Sequence, residues 1–198
     1  MPEEKSPLGY ERIKVIDITH NKKESAVVNA LSGSVILLMI LLGACVFGFE
    51  RLEAMLTSSD PGVLKWFVFR IAVIFLLAAV YIVMHEGVHV AFIKLIRRDC
   101  AVQFRYKFVY ASVGCNACFS KLEYLVICLA PLLILGVLLT VLCIRVPDEW
   151  QWPIYIIQVL NMSSAAGDIY IFSILSRMPK NLLVRDNGVT ISVYGSVE

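Results

Sequence analysis

Residues 63–96 read VLKWFVFRIAVIFLLAAVYIVMHEGVHVAFIKLI, an apolar run interrupted early by Lys65 and Arg70 that carries two of the chain's three histidines in one pentapeptide, 85–89. No glycine or proline interrupts it before Gly87, so the run predicts one long helix. At 1.5 Å per residue such a helix measures about 50 Å, while the hydrocarbon core of a bilayer is roughly 30 Å thick. A single span here must tilt, kink or protrude.

Three more blocks approach or exceed the roughly 20 residues needed to cross a bilayer: 27–49, 122–144 with Pro131 inside it as an expected kink, and 154–175. Ser25 is the expected N-cap of the first, and Trp150 and Trp152 stand at the start of the last as expected interfacial anchors. The composition agrees: 59% of the 198 residues are apolar and 17% charged, against roughly 45–50% and 25% in soluble domains. A chain this short cannot hide four such blocks from water. Disordered chains and disulfide-stapled secreted modules are excluded, and a net charge of +2 excludes a nucleic-acid partner. The expected fold is mainly α: one polytopic membrane bundle over 1–198, with about four spans.

Charge orients it. With the N-terminal segment 1–24 in the cytoplasm, fourteen of the 18 lysines and arginines fall inside, including Lys5, the cluster Lys94, Arg97 and Arg98, and Arg177, Lys180 and Arg185. Arg51, Lys65 and Arg145 fall outside. That bias predicts a multi-pass protein of the cell membrane with both termini cytoplasmic. Within the first block Leu42-Gly43-Ala44-Cys45 is similar to a lipoprotein cleavage box, but more than twenty mixed-charge residues precede the block, unlike a signal peptide.

Between the second and third blocks Val102, Phe104, Tyr106 and Phe108 alternate with Gln103, Arg105 and Lys107, a period of two that predicts strands. Gly114 and Asn116 are the expected turn of a cytoplasmic β-hairpin over 101–120. Asp186-Asn187-Gly188 is the expected turn of a C-terminal hairpin over 182–193. Cys115 and Cys118 form a lone C-x-x-C without the second pair a structural zinc site needs, and no disulfide framework is evident.

The chemistry lies in His85-Glu86-Gly87-Val88-His89. Residues four apart share a helix face, so both imidazoles can bind one metal ion, and Glu86 beside them can deprotonate a water. Polar residues closing a helix at the membrane edge are the bland alternative, yet three ionisable groups in five residues are costly there. Histidines four apart cannot grip a haem from both sides. A catalytic zinc takes three protein ligands and leaves a position for water. His20 lies too far along the chain, and of the acids only Glu86 and Asp168 sit well within apolar blocks. By elimination Asp168 is the expected third ligand of a Zn2+ ion, with Gly167 admitting a close neighbour. Asn161, two turns before it, would either bond a scissile carbonyl or make an ordinary interhelical hydrogen bond. Ser163 and Ser164 read as packing residues.

The embedded His85-Glu86-x-x-His89, the hairpin insert, Pro131, and Gly167-Asp168 followed by Met178-Pro179-Lys180 resemble the putative zincin peptidase family, a bacterial membrane family described as a domain of unknown function. The arrangement is also distantly similar to site-2 intramembrane metalloproteases. The resemblance implies His85, His89 and Asp168 as zinc ligands and Glu86 as general base. It implies an endopeptidase acting near the cytoplasmic face on protein or peptide substrates, transmembrane ones among them. The chain departs from the site-2 pattern in having Gly-Asp where those enzymes have Leu-Asp-Gly, and no proline between Asn161 and Asp168. The alternative is a non-enzymatic membrane scaffold or sensor with a structural or regulatory zinc site. The 101–120 hairpin would hold an extended substrate by strand addition.

Overall fold

The computed structural model describes residues 6–50, 53, 60–107 and 110–197; Lys5, Arg51 and Phe108, used above, lie outside the described residues. The chain is mainly helical and carries one five-stranded sheet. In chain order the elements are β1 (Tyr10–Ile16), α1 (Lys22–Phe47), α2 (Pro61–Ile96), β2 (Val102–Lys107), β3 (Tyr110–Ser120), α3 (Lys121–Arg145), α4 (Asp148–Ser164), α5 (Ala166–Ser176), β4 (Leu182–Asp186) and β5 (Ile191–Ser196). Four helical stretches are long and apolar enough to cross a membrane: α1, α2, α3, and α4 with α5 taken together.

The chain divides into two compact units, one of residues 1–29, 86–131 and 167–198, the other of 30–85 and 132–166. The first holds the sheet, in the order β1-β5-β4-β3-β2 with every pair antiparallel. The two expected hairpins are therefore parts of one sheet, joined by the β3–β4 pairing. The N-terminal segment adds the edge strand β1, which the charged run Glu11-Arg12-Ile13-Lys14 concealed. One sheet face and three helix ends share a core: Ile16, Phe119, Leu182, Val184 and Val193 meet Ile93 of α2, Tyr124, Ile127 and Cys128 of α3, and Ile171 and Leu175 of α5.

Gly114 is not a turn. It pairs with Gln103 inside β3, and the β2–β3 pairing runs from Val102 with Cys115 to Lys107 with Tyr110. Glycine is needed because a Cβ at 114 would overlap the backbone of Asn187 and Gly188. That β4–β5 turn is fastened from outside, Arg105 Nε donating to the Asn187 carbonyl (3.0 Å) and Ser112 Oγ to that of Gly188 (2.6 Å). Asn116 lies where the β3–β4 register shifts between Cys115 and Cys118, an irregularity of the strand and not its end. Cys115 is joined to Cys100 by a disulfide, which the spacing alone did not reveal.

Local signals set the helix ends in this unit. Asn21, not Ser25, caps α1, its Oδ1 accepting from Lys23 N–H at 3.1 Å. Ser120 and Glu123 form a reciprocal capping box at the start of α3: Glu123 Oε2 accepts from Ser120 N–H (2.8 Å) and Ser120 Oγ from Glu123 N–H (3.4 Å). Arg97 grips the same carboxylate with both terminal nitrogens, at 3.2 and 3.0 Å. At the other end of α5 the buried Lys121 donates to the carbonyls of Ser176 (3.0 Å) and Met178 (2.6 Å), placing a cation on the helix C-terminus.

In the second unit Gly43 explains the lipoprotein-like box. The ring of Tyr155 presses on it so closely that no side chain fits, and the Tyr155 hydroxyl donates to the Met39 carbonyl (2.6 Å). Trp152 is buried against Phe47 and Tyr155, and its Nε1 donates to Gly48 at 3.2 Å, so it acts as a packing residue and not as an interfacial anchor. Helix α3 continues through Pro131 from Lys121 to Arg145. The block expected as one span over 154–175 is two helices, separated at Ala165.

Candidate metal centre

The core that holds the sheet also sets the side chains of the centre, through helical periodicity. On α2 the anchoring Ile93 lies one turn beyond His89; on α5 Ile171 and Leu175 lie one and two turns beyond Asp168. With those residues buried together, His89 and Asp168 face each other, His89 Nε2 standing 3.7 Å from Asp168 Oδ2. His89 Nδ1 is 3.0 Å from the carbonyl oxygen of Ile127 on α3. A carbonyl can only accept, so Nδ1 is the donor in this contact and Nε2 is the ring atom turned toward Asp168.

His85 stands one turn earlier on the same uninterrupted helix and is 7% exposed. One ligand atom from each of His85, His89 and Asp168 falls within 4.8 Å of the others. Tetrahedral zinc with bonds of about 2.0–2.2 Å spaces its ligand atoms roughly 3.3–3.5 Å apart. The 3.7 Å separation measured here therefore fits a shared ion after a small adjustment. Two imidazoles and one carboxylate are a donor set zinc accepts, with a fourth position left for water. Glu86, half-buried, is adjacent to His85 in the chain and three residues before His89.

The other sequence candidates fall elsewhere. His20 is more than half exposed and its Nδ1 contacts the Asp17 carboxylate at 3.1 Å. Asn161 is fully enclosed, its Nδ2 lying 3.3 Å from where a Cβ on Gly136 would stand. Neither of its carboxamide atoms has a hydrogen-bond partner among the described residues. Gly167 makes no close approach, since a Cβ there would meet the Ile18 methyl at an ordinary 4.0 Å. With Cys115 in a disulfide, Cys118 is the free thiol of the C-x-x-C.

Three groups escaped the reading of the sequence. Tyr81 Oη is 3.0 Å from His85 Nδ1 and 2.6 Å from Ser164 Oγ, and the Ile127 carbonyl accepts from His89. Tyr81 was discoverable, because 81, 85 and 89 continue one helix face. A backbone carbonyl carries no residue signature, and Ser164 gave no cue beyond its small size.

Helical stretches of membrane-crossing length, with two histidines and an aspartate that could hold a metal ion, are compatible with a membrane metalloprotein. More specifically, the chain belongs to the putative zincin peptidase family, whose model matches residues 77–183, more than half of its length. That match takes in Tyr81, His85, Glu86, His89, Asn161, Ser164 and Asp168. Neither a curated protein nor a solved structure matches it.

Proposed function

We propose that the protein is a membrane-embedded zinc endopeptidase that cleaves membrane or membrane-associated proteins near the cytoplasmic face. The observation that carries this reading is the convergence of His85, His89 and Asp168 beside Glu86. When bound, zinc supplies a Lewis acid for the scissile carbonyl and lowers the pKa of its water to about 7. His85, His89 and Asp168 hold the ion, with the Nδ1 of His89 donating to the Ile127 carbonyl. Glu86 takes the proton from the attacking water and passes it to the departing amine, a general base and then a general acid. In this reading Asn161 donates to the scissile carbonyl only after its side chain turns from Gly136.

The substrate enters as an extended strand. Helical backbone hides its carbonyls, so cleavage requires an unwound segment. β2 is an edge strand of the sheet whose Phe104 is exposed, and an extended peptide adds there through main-chain hydrogen bonds. Positive charge at the N-terminal segment, at the 94–121 connection and after α5 sets both termini in the cytoplasm.

The test is Glu86→Gln in protein reconstituted into liposomes with a single-span reporter substrate. Cleavage is expected to fall about 10²–10⁴-fold while zinc content stays that of the wild type. Undiminished cleavage would contradict the mechanism.

A further inference from the structure

The disulfide between Cys100 and Cys115 closes a loop that contains all of β2. Cys100 lies four residues past the end of α2. Cys115 stands opposite Val102, the first residue of β2, and on its other side opposite Asp186 of β4. The bond therefore fastens β2 at the end where the chain arrives from α2. β2 is the outermost strand of the sheet, so β3 alone pairs with it. The two sulfurs differ in access. Cys115 is 1% exposed, whereas Cys100 is half-buried, and a cavity of about 390 Å³ lined by Ile96, Arg97, Arg98, Asp99, Cys100 and Ala117 opens beside it.

Compartment decides what such a bond does. Outside the cell a disulfide is a permanent staple, but in a reducing cytoplasm it is as a rule transient or redox-sensing. In the reading above, charge sets the 94–121 connection in the cytoplasm. We infer that Cys100–Cys115 is a reversible redox latch on β2, the edge that receives the substrate strand. Closed, it holds β2 against β3; open, β2 frays and the docking edge is lost. The inference rests on the cytoplasmic placement and the strand-docking reading, and not on the metal.

Opening is a thiol–disulfide exchange with a small cytoplasmic thiol of the glutathione type. Its thiolate attacks the more accessible Cys100 sulfur. A mixed disulfide forms on Cys100, and the Cys115 sulfur leaves as a thiolate that takes a proton from water. A second glutathione thiolate then displaces Cys100, so two glutathiones are oxidised to one disulfide as the protein gains two thiols. Closing is the same sequence reversed, with glutathione disulfide as the oxidant.

The test equilibrates purified full-length protein in liposomes with glutathione buffers running from reducing to oxidising, then alkylates it after denaturation. Of the six cysteines four are free when the bond is closed. Four labels per chain are expected in oxidising buffers and all six in reducing ones, with the midpoint inside the range. Hydrogen exchange of the β2 amides is expected to rise on the order of 10–100-fold on reduction, while β4 and β5 stay unchanged. Cys100→Ser is expected to exchange like the reduced wild type in every buffer. Labelling that never changes across the buffers would overturn the latch, and so would β2 exchange rates within twofold of each other in the two states. The placement is judged separately. A membrane-impermeant maleimide is expected to label Cys118 in inverted vesicles and not in intact cells; the reverse pattern would contradict the cytoplasmic reading, whereas the titration decides the latch itself.

Discussion

In the sheet-bearing unit Leu175, Val184, Val193 and Tyr194 are sealed from any surroundings. In the helical unit Phe75, Leu76 and Val83 of α2 are exposed by 73%, 64% and 72%. The sheet unit buries apolar residues against one another, and its polar ends are closed by Ser120, Glu123, Arg97 and Lys121. Two helices that run largely through the helical unit turn their apolar residues outward: of the most hydropathic windows, 6% is buried in α1 and in α2. The sheet unit carries the larger core, whereas the helical unit packs Cys143, Trp152 and Tyr155 together and leaves open apolar faces of the kind a bilayer would cover.

The largest stability change expected from that contrast is in the core. Leu175→Ala removes a fully buried side chain where α5 meets the sheet, and should cost about 2–5 kcal/mol in thermal or denaturant unfolding. A smaller cost would mean that the sheet core is not what holds α5. Phe75→Arg sharpens the other side of the comparison. In water an exposed phenylalanine can become arginine almost freely, but at the centre of a membrane helix the change should cost about 2.5–3.5 kcal/mol in an insertion assay. Insertion equal to wild type would place Phe75 outside the hydrocarbon.

The smallest effect concerns Asp186, whose carboxylate accepts from Tyr124 Oη (2.5 Å) and from Gly188 N–H (2.7 Å). Burial raises its pKa above the usual 3.8, with the Tyr124 hydrogen bond pulling partly the other way. A carboxyl whose folded pKa is raised stabilises the fold below its unfolded pKa and loses that contribution as pH rises through the folded value. Wild-type stability should therefore decline across that interval, and Asp186→Asn should flatten the decline while losing about 1 kcal/mol with one hydrogen bond. Melts of the two proteins as a function of pH check it; parallel curves would show that Asp186 is not the titrating group.

Much of this was legible from residue patterns. The four apolar blocks gave the membrane-length helices, and alternation at 102–107 and the Asp186-Asn187-Gly188 turn marked strands. Spacing in His85-Glu86-x-x-His89 and the scarcity of embedded acids pointed to a group that the fold brings together. What was not legible depends on tertiary neighbours. Pairing of β3 with β4 joins two local hairpins into a sheet, which no local period records. Gly114 looked like a turn residue, but its purpose is visible only with Asn187 and Gly188 against it. The interruption at Ala165 has neither proline nor glycine at that position to announce it. The groups beside the histidines were hidden because one is a main-chain carbonyl and Ser164 is an ordinary serine.

The central claim is that His85, His89 and Asp168 hold a zinc ion. Metal analysis of purified wild-type and Asp168→Ala protein tests it most directly, with the unfolding curve of each as a control for the fold. The account predicts stoichiometric zinc in the wild type and its loss in a folded Asp168→Ala protein. Equal zinc content in the two would contradict it.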